Sequence, residues 1–186
     1  MMPSFQSVET ARLVLRPFTE DDAAALFAVN AHPEVTRYTG DGPYADVEAV
    51  REVIRTRTLA DYAKHGFGRW ACVEKASGEV IGFMGLKYLP DLQEVDLGYR
   101  LLPRCWGRGL ATEGALASID YGFRILQLAR VIALIHQENT RSSRVVEKCG
   151  FAFETIVEYY GAPAARYGLA APRYLLGAVS GVVMCS

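Results

Sequence analysis

The sequence predicts a mixed α/β fold, a largely antiparallel sheet with helices packed on both faces. Three observations carry that expectation. Segments 69–74, 80–86 and 93–101 have strand character and are separated by the turn material Ala76-Ser77-Gly78 and Pro90-Asp91, which reads as an antiparallel meander. Between 109 and 124, Ala115, Leu116, Ile119 and Phe123 recur at helical spacing. Residues 131–135 form an uninterrupted apolar run, as a strand covered on both faces does. With 186 residues, 51% of them apolar and 22% charged, the chain has the length of one domain and the composition of a globular one.

In chain order, residues 12–16 alternate and stop at Pro17, after which Thr19 and Asp22 suit a capping arrangement for a helix turning Ala23, Leu26 and Phe27 inward. His32-Pro33 and Gly40-Asp41-Gly42-Pro43 mark a loop. A second amphipathic helix starts near Asp46, with Val47, Val50, Val53 and Ile54 on one face. In the third meander strand Val95, Leu97, Tyr99 and Leu101 share one face, and Glu94, Asp96, Gly98 and Arg100 share the other, so two carboxylates look the same way. Asn139 can cap a short helix carrying Val145 and Val146, which ends at Gly150, a residue suited to a left-handed C-terminus. Segments 151–160 and 173–179 complete a sheet of six to seven strands.

Charge and composition exclude several classes. A formal charge of −1 removes the drive behind nonspecific nucleic-acid binding. The first ten residues lack the basic start and apolar run of a secretion signal, and the apolar stretch 174–185 is shorter than the roughly 20 residues that span a bilayer. Cys72, Cys105, Cys149 and Cys185 are scattered, with neither metal-ligand nor disulfide-framework spacing. These features predict a cytoplasmic protein with reduced thiols and no metal. His32, His65 and His136 are equally scattered and receive no catalytic assignment.

The chemistry concentrates between a strand and a helix, in Leu102-Pro103-Arg104-Cys105-Trp106-Gly107-Arg108-Gly109-Leu110-Ala111-Thr112-Glu113. A glycine turn placed there points backbone N–H groups, reinforced by the helix dipole, at one spot where an anion can bind. Gly107 and Gly109 let the main chain approach that anion; equally, they fit a plain chain reversal. Gly-Lys-Ser/Thr is absent, which excludes a Walker loop, and Thr112 stands where a dinucleotide fingerprint needs a small residue.

These residues resemble the GNAT superfamily of acyl-CoA-dependent N-acetyltransferases, in particular its RimJ/RimL-like branch, which acetylates N-terminal amines of ribosomal proteins. Arg104, Gly107 and Gly109 match the family's acetyl-CoA motif, within a Trp-Gly-x-Gly-x-Ala-Thr-Glu run from Trp106 to Glu113. Asn139, Ser142, Glu147, Lys148, Gly150 and Phe151 match a second motif, Asp96, Gly98 and Tyr99 an acidic-x-Gly-Tyr strand, and residues 10–16 a Thr-x-Arg-Leu-x-Leu-Arg opening. The matches run in family order over about residues 9 to 160, and residues 161–186 depart from the family's basic and aromatic pattern.

The resemblance implies a single acetyltransferase domain whose third meander strand and the next strand splay apart to admit the pantetheine arm. It implies that backbone amides of Cys105, Trp106, Gly107, Arg108, Gly109 and Leu110 hold the CoA diphosphate, with Arg104 and Ala111 beside them. Leu101 and Leu102 would pair with pantetheine through their main chain. Asn139 would hydrogen-bond the cofactor arm and Ser142 would protonate the departing thiolate; both also fit an ordinary helix cap and first-turn residue. Trp106 fits packing beneath the loop.

Acetyl transfer needs an uncharged amine, so a base must take a proton from an ammonium. Asp96 is the first candidate and Glu94, on the same face, the second; two solvated strand carboxylates with water as the base is the alternative. Backbone donors near Leu97 to Tyr99 would polarise the thioester carbonyl. The acceptor implied is a protein N-terminus or a small-molecule amine, and the assembly a possible homodimer. A non-catalytic CoA-binding sensor or interaction module with the same fold is the competing reading.

Overall fold

The computed structural model of the protein describes residues 6–40, 43–171 and 174. Its strands are β1 (Val8–Glu9), β2 (Leu13–Arg16), β3 (Arg69–Glu74), β4 (Val80–Leu89), β5 (Glu94–Leu101), β6 (Arg130–His136), β7 (Ala152–Tyr159) and β8 (Ala162–Ala170). Its helices are α1 (Ala23–Ala31), α2 (Pro33–Thr36), α3 (Val47–Val53), α4 (Leu59–His65), α5 (Leu110–Arg124) and α6 (Thr140–Lys148), with a π-turn, Ile54–Thr58, joining α3 to α4. The strands form one sheet in the order β1-β2-β3-β4-β5-β6-β8-β7.

Alternation along the strands sorts the core into two layers. Trp70, Cys72 and Met84 pack with Leu13, Leu15 and the α5 residues Leu110, Ala117 and Tyr121. The residues between them, Ala71 and Phe83, face the opposite way and pack with Ala23 and Leu26 of α1 and Val50 of α3. A continuation of the first layer joins β5, β6 and β8 to α5 and α6 through Leu97, Ile119, Val146 and Leu169. Helices therefore cover both faces, as the sequence predicts.

Two differences concern the far side of the sheet. Among the described residues it has eight strands, not six to seven. One addition is the two-residue β1; the other is β8 (Ala162–Ala170), which occupies part of the segment read as divergent, ahead of the strand expected at 173–179. β8 lies between β6 and β7 and is antiparallel to both. Its alanines, Pro163 and Gly168 carry little strand propensity, but Ala164, Ala165, Tyr167 and Leu169 are buried, so tertiary packing overrides local preference. The expected strand at 173–179 lies, apart from Tyr174, outside the described residues, as does Cys185. Cys72, Cys105 and Cys149 are buried and free. Among the described residues no helix is long and apolar enough to cross a membrane.

The parallel pair β5–β6, joined by the α5 crossover, shapes the site. A single pairing, Asp96 with Ile132, registers these two strands, and past it they diverge. Leu102 N–H donates to Ile81 O at 2.9 Å, so by alternation the main chain of even-numbered β5 residues faces β4, while that of Leu97, Tyr99 and Leu101 faces the gap. The splay implied by the resemblance is thus present.

Candidate active site

Two connected cavities occupy the gap. The larger, about 960 Å³, runs between the β5–α5 turn and α6; the smaller, about 380 Å³, lies over Asp96 and the β7–β8 hairpin. Tyr99, Arg100, Asn139 and Ser142 line both.

The turn is built by backbone conformation. Pro103, Arg104 and Cys105 form a 3-10 turn in which Cys105 N–H donates to Leu102 O at 2.9 Å and Trp106 N–H to Pro103 O at 3.0 Å. Gly107 and Gly109 then adopt φ of 73° and 79°, and no atom stands within 4 Å of where a Cβ on Gly107 would point. Glycine is needed here for its backbone conformation, not for space. Glu113 N–H donates to Gly109 O, closing the first turn of α5, while the amides of Gly107, Arg108, Gly109, Leu110, Ala111 and Thr112 have no partner among the described residues. A run of free amides at the positive end of a fifteen-residue helix is an anion site in form and charge.

Of the loop residues expected to face the cofactor, Leu102, Arg104 and Arg108 do not line the cleft, whereas Leu101 and Cys105 do. Arg108 Nη2 donates to Glu74 Oε1 at 2.6 Å and Arg104 Nη2 to Glu79 Oε2 at 2.8 Å, so both guanidinium groups turn toward the β3–β4 hairpin. Leu102 spends its N–H on Ile81 and its carbonyl on Cys105, and Leu101 O accepts the Trp106 indole N–H at 2.8 Å. The Cys105 thiol is buried, and burial raises its pKa. Cations to which the sequence assigned no binding role stand on the other wall: Arg141, Arg144 and Lys148, one helical face of α6, line the larger cavity, and the Arg141 guanidinium lies 5.4 Å from the Trp106 ring. Their i, i+3, i+7 spacing was the available signal.

Asn139 Oδ1 accepts the Ser142 N–H at 3.2 Å, so it does cap α6, and both residues also line the cleft. Beside them lies the Tyr99 hydroxyl, buried, near Ser142, and without a hydrogen bond of good geometry among the described residues. Burial pushes the Tyr99 phenol up to about 12, and the neighbouring Ser142 hydroxyl opposes that rise. Tyr99, which matches the acidic-x-Gly-Tyr strand in the sequence, thereby presents a proton-bearing oxygen at the junction of the cavities.

Asp96 sits where the strands part. Its Oδ2 accepts from Arg69 Nη2 at 2.7 Å and its Oδ1 from the backbone N–H of Leu134 at 3.2 Å, a side chain replacing the strand partner that β6 loses at the splay. Burial raises the Asp96 pKa, against the opposing pull of Arg69, the Leu134 amide and Lys87. Arg69 reaches Asp96 over Gly98, whose absent Cβ would stand 2.3 Å from Arg69 Nη2. Tyr62 of α4 anchors the start of β3 by donating to Arg69 O at 2.6 Å. Glu94, two residues away on the same face, does not line the cavity; Arg166 Nη2 and Arg130 Nε donate to its Oε1 at 2.5 and 3.2 Å.

The remaining wall is aromatic and cationic. Tyr159 and Tyr160 come from the β7–β8 hairpin, whose two turn residues Tyr160 and Gly161 have φ of 52° and 71°, the mirror-image turn that matches strand twist. Burial, Tyr160 and the Asp96 charge together raise the Tyr159 pKa. His136 stacks on Tyr38 at 5.2 Å. Phe83 carries two guanidinium groups, Arg69 and Arg100, 5.6 and 5.5 Å from its ring centroid.

A parallel strand pair that opens beside a glycine turn and helix N-terminus, with proton-bearing side chains at the opening, defines a site for transfer from a phosphate-bearing donor. Residues 12–152 match the family described as acetyltransferase (GNAT) domain, and the chain belongs to that family. It is 34% identical over 157 residues to the uncharacterised N-acetyltransferase YoaA of Bacillus subtilis, covering 84% of this chain and 88% of that one. The spermidine N(1)-acetyltransferase of Escherichia coli is 29% identical over 154 residues, 82% of this chain and 77% of the relative. An acetyltransferase structure from Agrobacterium tumefaciens superposes with a TM-score of 0.77 at 28% identity, covering 91% of this chain and 96% of that one.

Proposed function

We propose that the protein transfers the acetyl group of acetyl-CoA to a primary amine by direct attack, without a covalent acyl-enzyme. The observation that carries this reading is the run of unpartnered amides from Gly107 to Thr112, opening on the same cleft as Tyr99, Asn139 and Ser142. The residues present fit the donor molecule: the amides suit its diphosphate, Arg141, Arg144 and Lys148 supply positive charge opposite them, and the gap-facing main chain of Tyr99 suits its amide-bearing arm. Bound there, acetyl-CoA supplies a thioester carbonyl open to attack by an amine lone pair.

The chain's own groups then have distinct tasks. Asp96 accepts the proton the amine must lose, its raised pKa bringing it toward the range useful to a base. The binding of Glu94 to Arg130 and Arg166 argues for Asp96 over Glu94 in that role. Ser142 and the Tyr99 hydroxyl beside it stand where a leaving thiolate needs a proton, and backbone donors at Leu97 and Tyr99 face the gap where a carbonyl would be polarised. For the acceptor, likeness to the RimJ/RimL branch supports a protein N-terminus, and likeness to a spermidine acetyltransferase supports a small amine.

A thiol-release screen of the full chain with acetyl-CoA against peptides and small amines tests the reading. Free CoA should appear with at least one amine class. Tight CoA binding without release across the panel favours the sensor or interaction module, and protection by NAD instead of CoA would return the loop to dinucleotide binding.

A further inference from the structure

Resting on the reading of acetyl-CoA as the donor, we infer that Arg141, Arg144 and Lys148 of α6 form a separate subsite for the donor's 3′-phosphate, a monoester. This subsite makes the protein select coenzyme A over its dephospho form. The three side chains line the larger cavity and form no ion pair among the described residues. In this they differ from the cations of the turn, since Arg104 and Arg108 are bound to Glu79 and Glu74. The neighbouring carboxylates leave them unpaired as well. Glu34 and Glu138 line the same cavity, and Glu147 follows Arg144 at helical spacing on α6, yet none forms an ion pair with the three.

Helix geometry makes this placement informative. At a rise of about 1.5 Å per residue, Arg141 and Lys148 lie about 10 Å apart along α6, with Arg144 between them on the same face. Like charges at these spacings repel, and Arg141, in the first turn, also stands at the positive end of the helix dipole. Lys148, in the last turn, is the one of the three that the dipole favours. The Trp106 ring, 5.4 Å from the Arg141 guanidinium, keeps that charge at the cavity. An arrangement that the helix itself disfavours is offset by an anion from outside it.

The donor's diphosphate does not account for all of this charge. It carries one charge per phosphorus, and the free amides of the turn, with the dipole of α5 behind them, suffice to meet it. A phosphate monoester adds roughly 1.5 to 2 negative charges near neutral pH and three acceptor oxygens, which guanidinium and ammonium groups bind through charge-assisted hydrogen bonds. The cavity volume, about 960 Å³, lies near the top of the ~300–1,000 Å³ usual for small-molecule sites, which leaves room for a phosphorylated ribose beside the diphosphate.

Calorimetric titration of the full chain with coenzyme A and with dephospho-coenzyme A tests the subsite. The dissociation constant for coenzyme A should be about tenfold or more below that for the dephospho form. In Arg144→Gln and in Lys148→Gln, both at exposed positions, this ratio should shrink by about threefold or more, while affinity for the dephospho form stays within about twofold of the parent. Equal affinity of the parent chain for the two ligands would overturn the subsite and leave the donor reading intact. So would variants with unchanged circular dichroism that lose affinity for both ligands alike. Binding of neither ligand would overturn the donor reading along with the subsite.

Discussion

At the scale of single residues, the site turns on how one carboxylate is held. In the proposed reaction Asp96 has two jobs that pull against each other: it replaces a lost strand hydrogen bond, and it lines the cavity where it would receive a proton. Burial raises its pKa and the Arg69 guanidinium limits the rise. Since only the ionised form accepts a proton, the acid limb of kcat/KM should lie above the ordinary carboxylate range. Asp96→Asn should then cost about 10²-fold in kcat/KM near pH 6, where the amine is charged, and progressively less toward pH 9, where free amine accumulates. An unchanged pH profile would remove Asp96 as the base. The acidic-x-Gly-Tyr pattern marked Asp96 in the sequence, but its pairing with Arg69 was not legible. That contact spans 27 residues and depends on the gap left by Gly98, which exists only once β3, β4 and β5 are in register.

At the scale of elements, the glycine turn is held from outside as well as by its own dihedrals. Glu113, in the first turn of α5, accepts from Thr10 Oγ1 at 2.6 Å and from the backbone and side chain of Arg12 at 2.8 and 2.7 Å. Arg12 Nη1 in turn donates to Arg108 O at 2.8 Å, tying the chain ahead of β2 to the turn. Burial pushes the Glu113 pKa up, but these hydrogen bonds outweigh it and leave the value lowered. A carboxylate with a lowered folded-state pKa contributes its full stability above its unfolded pKa and loses it as pH falls through the folded one. Glu113→Gln should therefore cost about 1–3 kcal/mol at neutral pH, and thermal melts of variant and parent should converge on acidification. Parallel melting curves at all pH values would contradict this. The helix itself was readable from Ala115, Leu116, Ile119 and Phe123, whereas the turning of Arg104 and Arg108 toward Glu79 and Glu74 was not. Motif position fixes where a side chain starts, and the nearest opposite charge decides where it ends.

At the scale of the whole molecule, alternation in β3, β4 and β5 and the apolar run of β6 made the meander and the crossover legible in the sequence, because those strands pay for their burial in side-chain pattern. β8 hid because small residues pack it between two neighbours without an alternating signature, although its hairpin places Tyr159 and Tyr160 at the cavity. The fold thus brings a turn after β5, a helix after β6 and a hairpin after β7 to one opening, and the unpartnered amides of the turn are the groups the proposed donor would bind. Calorimetric titration of the full chain with coenzyme A tests this most directly. Saturable binding at one site per chain is predicted; the absence of heat and of saturation would contradict it.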